Sequence, residues 1–289
     1  MSVGRGNQLE AHANRDELIE HGYTIVPGVF GPDWLKEFGD WTLDYFEQHP
    51  IDRRYRFQGS AIRVYSPDRW EREDAAVKNH PELKSRILPD PIADRFFRDP
   101  SFQSACELLQ FEGLQSEGKL IVLSKPAHGP PLYWHQDFSN WNSPEAATPW
   151  PTMVFLSTYL TDTSKANGCL RVIPGSHRRR VDLHDVLPDA HGEDVQALED
   201  LNTPVFADHP DAVDIPMKAG DLIAADARLL HAAHPNDTDE RRTLVLAWHK
   251  VFPFPEPPSW WTRPIPDVVQ GADPTVEYEP RRAPTEYLR

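Results

Sequence analysis

The sequence predicts a mainly β protein with flanking helices, its strands folded as a double-stranded β-helix, the jelly roll. Short runs rich in apolar, β-branched and aromatic residues recur from residue 120 onward: 120–124, 132–138, 153–160, 170–173, 222–225 and 243–251. Long polar crossings separate several of them, which suits two facing sheets, one bearing functional side chains and one covering them. Helical spacing of apolar residues is concentrated in the N-terminal part, where helices would pack on the outside of a sheet.

Asn14 with Glu17 three residues later suits a capped short helix that ends at Gly22 and leads into a strand, Tyr23 to Pro27. Gly31-Pro32 opens a longer helix whose apolar positions are Trp34, Leu35, Phe38, Trp41, Leu43 and Tyr45, with proline suited to the first turn. Residues 51–80 read as charged and irregular, apart from a strand over 61–65 that would bring Arg63 and Tyr65 to an internal cavity. A further helix is predicted between Asp99 and Leu109. Residues 178–215 form a polar excursion too long for an ordinary connection, the kind of segment that serves as a lid or substrate wall. Its basic start, His177 to Arg180, reads as a solvated face. The tail from Pro253 is rich in proline and carries Trp260-Trp261, so it is expected to wrap the body, or meet a second copy as in a homodimer, without regular structure. The whole chain, 1–289, reads as one domain: a helical part over about 14–112, a jelly-roll core over about 118–252 and the tail 253–289.

A net charge of −15 argues against a nucleic-acid backbone as partner, which requires clustered Lys and Arg. No stretch approaches the ~18 apolar residues of a membrane span, and Met1 to Gln8 lacks the apolar core of a signal peptide. Two cysteines, Cys106 and Cys169, are expected to be reduced, consistent with a cytoplasmic location. The charge says little about a small-molecule substrate.

The chemistry concentrates in His135-Gln136-Asp137 and in His231 followed by Arg242. A histidine and a carboxylate two apart on a strand project from one face and can grip one cation together. Two His and one carboxylate on one side of a metal leave the opposite positions open, the arrangement of non-haem Fe(II) oxygenases. An arginine nearby can hold a carboxylate-bearing co-substrate in a two-pronged grip. The rival His209-Pro210-Asp211 contains proline, which suits a turn or sheet edge. Single-residue readings are plainer: His234 and His249 are structural, Lys125 is a strand-end charge, Arg241 faces solvent while Arg242, Leu244, Leu246 and Trp248 face inward, and Gly175 makes a turn. Arg171 fits either a cavity wall or a sheet-edge cap, and Trp134 reads as core.

The joint order of KPAHGPPLYWHQD (125–137), NGCLRVIPGSH (167–177) and GDLIAADARLLHAAHPNDTDERR (220–242) resembles the phytanoyl-CoA dioxygenase family of iron- and 2-oxoglutarate-dependent oxygenases, with ectoine-hydroxylase-like members nearest. The resemblance covers about 14–252. It implies that His135, Asp137 and His231 bind Fe(II), that Arg242 pairs with the distal carboxylate of 2-oxoglutarate, and that O2 is the other co-substrate. Asn236, Thr238 and Arg242 stand at the family offsets from His231, which favours His231 over His234 as third ligand. The family often has serine where this chain has Ala233, and Ser157 aligns with a position beside 2-oxoglutarate and is the substitute. A carboxylate at Asp137 implies hydroxylation of an unactivated C–H bond over chlorination. Desaturation, ring closure and epimerisation share the site, and a cupin-like isomerase, hydrolase or non-catalytic binding protein is the alternative class. Asn142-Ser143-Pro144 departs from the ectoine hydroxylase pattern, so the implied substrate is a small metabolite or natural-product intermediate of unspecified identity.

Overall fold

The computed structural model describes residues 14–48, 60–68, 87–111, 114–188, 190, 193–196, 198, 200–252, 254–273 and 275–278. Among the described residues eleven strands make two sheets. They are β1 (Tyr23–Val26), β2 (Ser60–Tyr65), β3 (Ile87–Pro89), β4 (Gln115–Lys125), β5 (Leu132–His135), β6 (Met153–Tyr159), β7 (Leu170–Val172), β8 (Val213–Ile215), β9 (Leu222–Asp226), β10 (His231–Ala233) and β11 (Arg242–Lys250). The major sheet runs β1-β9-β6-β11-β4-β2-β3, and the minor sheet runs β5-β10-β7-β8. Facing antiparallel sheets with crossing connections make the jelly roll, and the structures reported below share it.

Alternation along each strand divides the major sheet's residues between two cores. Val154, Leu156, Val245, Ala247, Leu120 and Val122 point outward onto helices α1 (residues 14–21), α2 (Pro32–Gln48), α3 (Pro91–Arg98) and α4 (Pro100–Leu108). Their partners Phe155, Tyr159, Leu244 and Ile223 point inward and meet Leu170 and Val172 of the minor sheet. The aromatic stripe of α2 packs as expected: Phe30, Trp34 and Phe38 stack with centroids 3.8 and 4.0 Å apart. Helix α1 ends at Gly22, whose φ of +87° suits glycine alone, since a Cβ there would stand 2.6 Å from His177 Nδ1.

Several expectations change in detail. Glu17 accepts from Thr24 Oγ1 and does not reach back to Asn14. The helix predicted over 99–109 is α4, capped by Asp99, and a second helix, α3, capped by Asp90, precedes it. Both start with proline, which lacks the N–H that a first turn leaves unpaired. The strand read over 61–65 forms, and Tyr65 is buried; Arg63's side chain and residues 51–59 and 69–80 lie outside the described residues. The excursion ends in β8, and its basic start is not all solvated. His177 is buried and bonds Ile19 O at 3.0 Å, closing the end of α1. In the tail, Trp261 lies 5.5 Å from Trp150 and Arg15 sits 4.4 Å over Trp260, so this segment wraps the body, with one helical turn at Asp267–Gln270. Cys106 and Cys169 are free and buried. No helix among the described residues is long and apolar enough to cross a membrane.

Burial holds His177, His184 and His249 to a pKa of about 4 each, against an ordinary 6.5. His249 lies between Phe97 and Phe102 with neither ring nitrogen bonded. As pH falls from about 6.5 toward 4, the unfolded chain takes up protons that these folded imidazoles refuse, so stability falls through that window. Thermal melts are expected to drop between pH 7 and pH 5, by about 2–4 °C per kcal/mol lost. His249→Leu is expected to show a smaller drop over the same step; an unchanged drop would mean His249 does not contribute.

Candidate active site

The two motif histidines meet because β5 and β10 pair antiparallel with His135 directly opposite His231. The register then shifts before Ala233 pairs with Leu132, a bulge of the kind that re-aims side chains. The rings come within 4.1 Å of each other. Each Nδ1 donates to the carbonyl oxygen two residues earlier, His135 to Tyr133 O at 2.9 Å and His231 to Leu229 O at 3.0 Å. That bond orients each ring and turns its Nε2 into the site.

Asp137 reaches the site differently from the sequence reading, because β5 stops at His135 and the carboxylate is not carried on the same strand face. Beyond the strand end, the N–H groups of Asp137 and Phe138 both donate to Ala227 O, at 3.0 and 2.9 Å. This turns the chain so that the Asp137 oxygens face His135 Nε2 at 3.7 Å and His231 Nε2 at 3.1 Å. One ligand atom from each of the three residues lies within 4.8 Å of the others. Burial pulls His231 toward its neutral form, but Asp137 outweighs it and the pKa is raised overall. Two imidazole nitrogens and a carboxylate suit a divalent transition metal, and their common side leaves the rest of its sphere open.

Arg242 starts β11 on the same inner face. It is 6% exposed, its Nε is buried without a bonding partner, and its guanidinium carbon lies 5.5 Å from the Tyr159 ring centre. Among the described residues no carboxylate forms an ion pair with it, so an uncompensated cation is buried there. Directly opposite in the ladder is Lys125, 2% exposed, whose Nζ donates to His234 O at 2.6 Å. Burial, then the neighbouring Arg242, holds Lys125 well below its ordinary pKa; burial also lowers that of Arg242. Lys125 is therefore no strand-end charge. Its stem passes two close-set glycines: a Cβ at Gly129 would stand 2.8 Å from Lys125 Cγ, and one at Gly168 3.2 Å from Lys125 Cδ. Sequence reasoning missed it because only the β4–β11 register shows that it faces Arg242.

Asn236 and Thr238 explain the spacing before Arg242. Asn236 Nδ2 donates to Pro126 O at 2.9 Å and Glu240 O at 2.7 Å, while its Oδ1 accepts from Thr238. The knot folds residues 234–241 onto the loop after Lys125 and delivers Arg242 to its row. Along β6 the inward residues run Phe155, 5.1 Å from His231, then Ser157, then Tyr159 beneath Arg242. Ser157 is buried on that path between the triad and the guanidinium.

The remaining candidates separate from the site. His234 points to the other side of the minor sheet and bonds Asp214 at 2.6 Å. It forms a Cys169–Asp214–His234 group, but Arg171 Nε stands 3.5 Å from the same Asp214 oxygen and occupies the place of a cation. Arg171 pairs with Asp208 and with Asp214 of β8, the edge strand of the minor sheet, and lies over Trp134, which agrees with the edge reading. Arg241 is exposed, as read, though its guanidinium bonds Ser124 Oγ at 2.9 Å. His209 accepts from Asp211 N in a turn. The excursion covers the site's edge, where Val195, Val205 and Phe206 pack on Tyr133, whose ring lies 5.3 Å from that of His135.

Comparison with known proteins agrees with this architecture. A profile of the phytanoyl-CoA dioxygenase (PhyH) family matches residues 18–244. The chain belongs to the phytanoyl-CoA dioxygenase family. Among curated members it is 24% identical over 184 residues to the ectoine dioxygenase of Bordetella parapertussis, covering 61% of this chain and 59% of that protein. The chain thus spans well under two thirds of that relative's length. Among solved structures, the epimerase SnoN from nogalamycin biosynthesis aligns with a TM-score of 0.53 at 21% identity, over 84% of this chain and 83% of that one. EctD from S. alaskensis with bound Fe aligns with a TM-score of 0.53 at 17% identity, over 83% and 76%. These likenesses establish the jelly-roll fold of this family member.

Gly168 tests the placement of Lys125. With φ of +88° and a Cβ that would stand 2.8 Å from His234 O, Gly168→Ala is expected to cost roughly 1–3 kcal/mol in chemical denaturation. A change within 0.5 kcal/mol would show that the loop relaxes freely.

Proposed function

We propose that this phytanoyl-CoA dioxygenase family member is an Fe(II)- and 2-oxoglutarate-dependent oxygenase that hydroxylates an unactivated C–H bond of a small metabolite or natural-product intermediate. One observation carries the reading: two imidazoles, each held at Nδ1 by a backbone carbonyl, and a carboxylate converge on one point, and a buried arginine without a carboxylate partner stands further along the same inner face. Each half fits one end of the same co-substrate complex.

His135 and His231 would hold the metal through Nε2 and Asp137 through its carboxylate, one charge of the cation being neutralised by protein. Arg242 would take the distal carboxylate of 2-oxoglutarate in charge-assisted bonds, with Lys125 adding positive potential from the opposite strand. Their burial without a matching anion costs several kcal/mol, which a bound dianion offsets. Ser157 would donate to the co-substrate between these ends, in place of the hydroxyl that Ala233 lacks. When bound, iron with 2-oxoglutarate and O2 supplies the oxidant: 2-oxoglutarate, O2 and R–H become succinate, CO2 and R–OH. The protein's part is to orient one C–H bond and keep water out, and the Tyr133 and Phe206 rings at the site's edge suit that exclusion. As a metal ligand, Asp137 would leave no room for a halide in its place, which favours hydroxylation over halogenation.

Anaerobic addition of Fe(II) and then 2-oxoglutarate is expected to produce a weak visible charge-transfer band, and oxygen is expected to release succinate. His135→Ala should abolish both. Arg242→Met should raise the 2-oxoglutarate concentration at half-saturation at least tenfold while leaving metal binding intact. A wild-type protein that binds Fe(II) but gives no 2-oxoglutarate-dependent band would overturn the reading.

A further inference from the structure

We infer that Arg228, locked by Asp226, is the positioning residue for the metal triad: it fixes the turn whose carbonyls place Asp137 and His231. The inference rests on the reading of His135, Asp137 and His231 as metal ligands, and it adds a residue that touches neither metal nor substrate.

Three consecutive carbonyls between β9 and β10 act on the motif. Ala227 O accepts from the N–H groups of Asp137 and Phe138, Arg228 O accepts from Gln136 Nε2, and Leu229 O accepts from His231 Nδ1. A rotation of the Ala227 peptide plane would therefore move Asp137, and a rotation of the Leu229 plane would move His231. The turn is held by the side chain it carries. Arg228 is 1% exposed and donates through Nε and Nη2 to both oxygens of Asp226, at 2.9 and 2.6 Å. Its remaining donors reach Ala146 O, Thr148 O and Trp150 O at 3.1, 2.8 and 3.1 Å. Those three carbonyls belong to the loop that leaves the metal motif and returns to β6. One guanidinium thus ties together both segments that carry the triad. The fork geometry matters, because an ammonium cannot serve a bidentate carboxylate and three divergent carbonyls together.

Gln136 gives the arrangement a second anchor. Its amide also faces His184 Nε2 at 3.2 Å, and Leu230 N donates to Ser176 Oγ at 2.9 Å, so the turn is braced from the excursion's side as well. Asp226 N donates to Gly22 O at 2.8 Å, which ties the turn to the end of α1. With so many independent supports, removal of Arg228 should leave a folded jelly roll with a loosened triad.

Removing only Arg228 would leave Asp226 buried and bare, so the decisive variant changes both: Asp226→Asn with Arg228→Gln, a neutral pair of similar volume. Arg228→Lys is the mild companion. Phe102→Ala, in the helical core on the other side of the major sheet, controls for general loss of stability. Each protein is titrated with Co(II), read by its visible ligand-field absorption and by the rise in thermal midpoint, neither of which needs turnover. The double variant is expected to keep a cooperative melt, bind Co(II) at least tenfold more weakly and show a shifted ligand-field band. Arg228→Lys should lose at least threefold. A folded double variant within threefold of wild type would sink the inference, as would a Phe102→Ala variant that loses as much affinity. If the double variant does not fold, Arg228→Lys decides on the same threefold threshold. A wild-type protein that fails to bind Co(II) at all would instead remove the metal reading beneath it.

Discussion

Three adjacent peptide carbonyls, those of Ala227, Arg228 and Leu229, hold the centre of this protein in register. Side chains alone could not do this. Imidazole and carboxylate groups that face one another in a buried site have freedom about two torsions each, and nothing in their mutual attraction sets an open coordination geometry. Backbone acceptors fixed by β9 and β10 set it for them: one orients the ring of His231, another turns Asp137 back across the end of β5. Tyr133 O does the same for His135 from within its own strand. The site is thus built chiefly by main-chain geometry, and its imidazole and carboxylate side chains are the last members of hydrogen-bond chains that start in the sheet.

The second constraint is electrostatic. Lys125 and Arg242 are opposite one another in the major sheet and both are buried, which depresses both pKa values. A buried charge is tolerated only where something balances it. Asp226 and Arg228 balance each other completely, so that pair serves geometry. Arg242 has no such carboxylate among the described residues, so its charge is available to a ligand. The contrast is between two buried arginines in one fold, one paired with a carboxylate and one not, and it is drawn without any appeal to sequence position.

Much of this was legible in the chain. The convergence of His135, Asp137 and His231, with Arg242 further along the inner face, was expected from residue type and spacing, because a site for a metal and a carboxylate would restrict those positions to very few side chains. The long strands β6 and β11 and the amphipathic α2 were found by periodicity, because each presents one apolar face to a core. Lys125, Arg228 and Tyr133 were not found. Their roles depend on what lies opposite them across a sheet or behind a turn, and a lysine before proline or an arginine after Asp-Ala has no periodic signature. His177 was misread for the same reason: in sequence it heads a basic run, while in space it fills the gap that Gly22 leaves open.

The sequence by itself determined the chemical inventory and its order: two histidines, one aspartate, one arginine, and strands enough for two sheets. The tertiary structure alone decided that β5 ends at His135 and that Asp137 reaches the site from a turn. It also decided that His231 faces inward while His234 faces Asp214, and that Lys125 is a buried companion of Arg242. The physical reason is that residue type and period are local properties of the chain, whereas register, bulges and buried charge balance are settled only when distant strands pair.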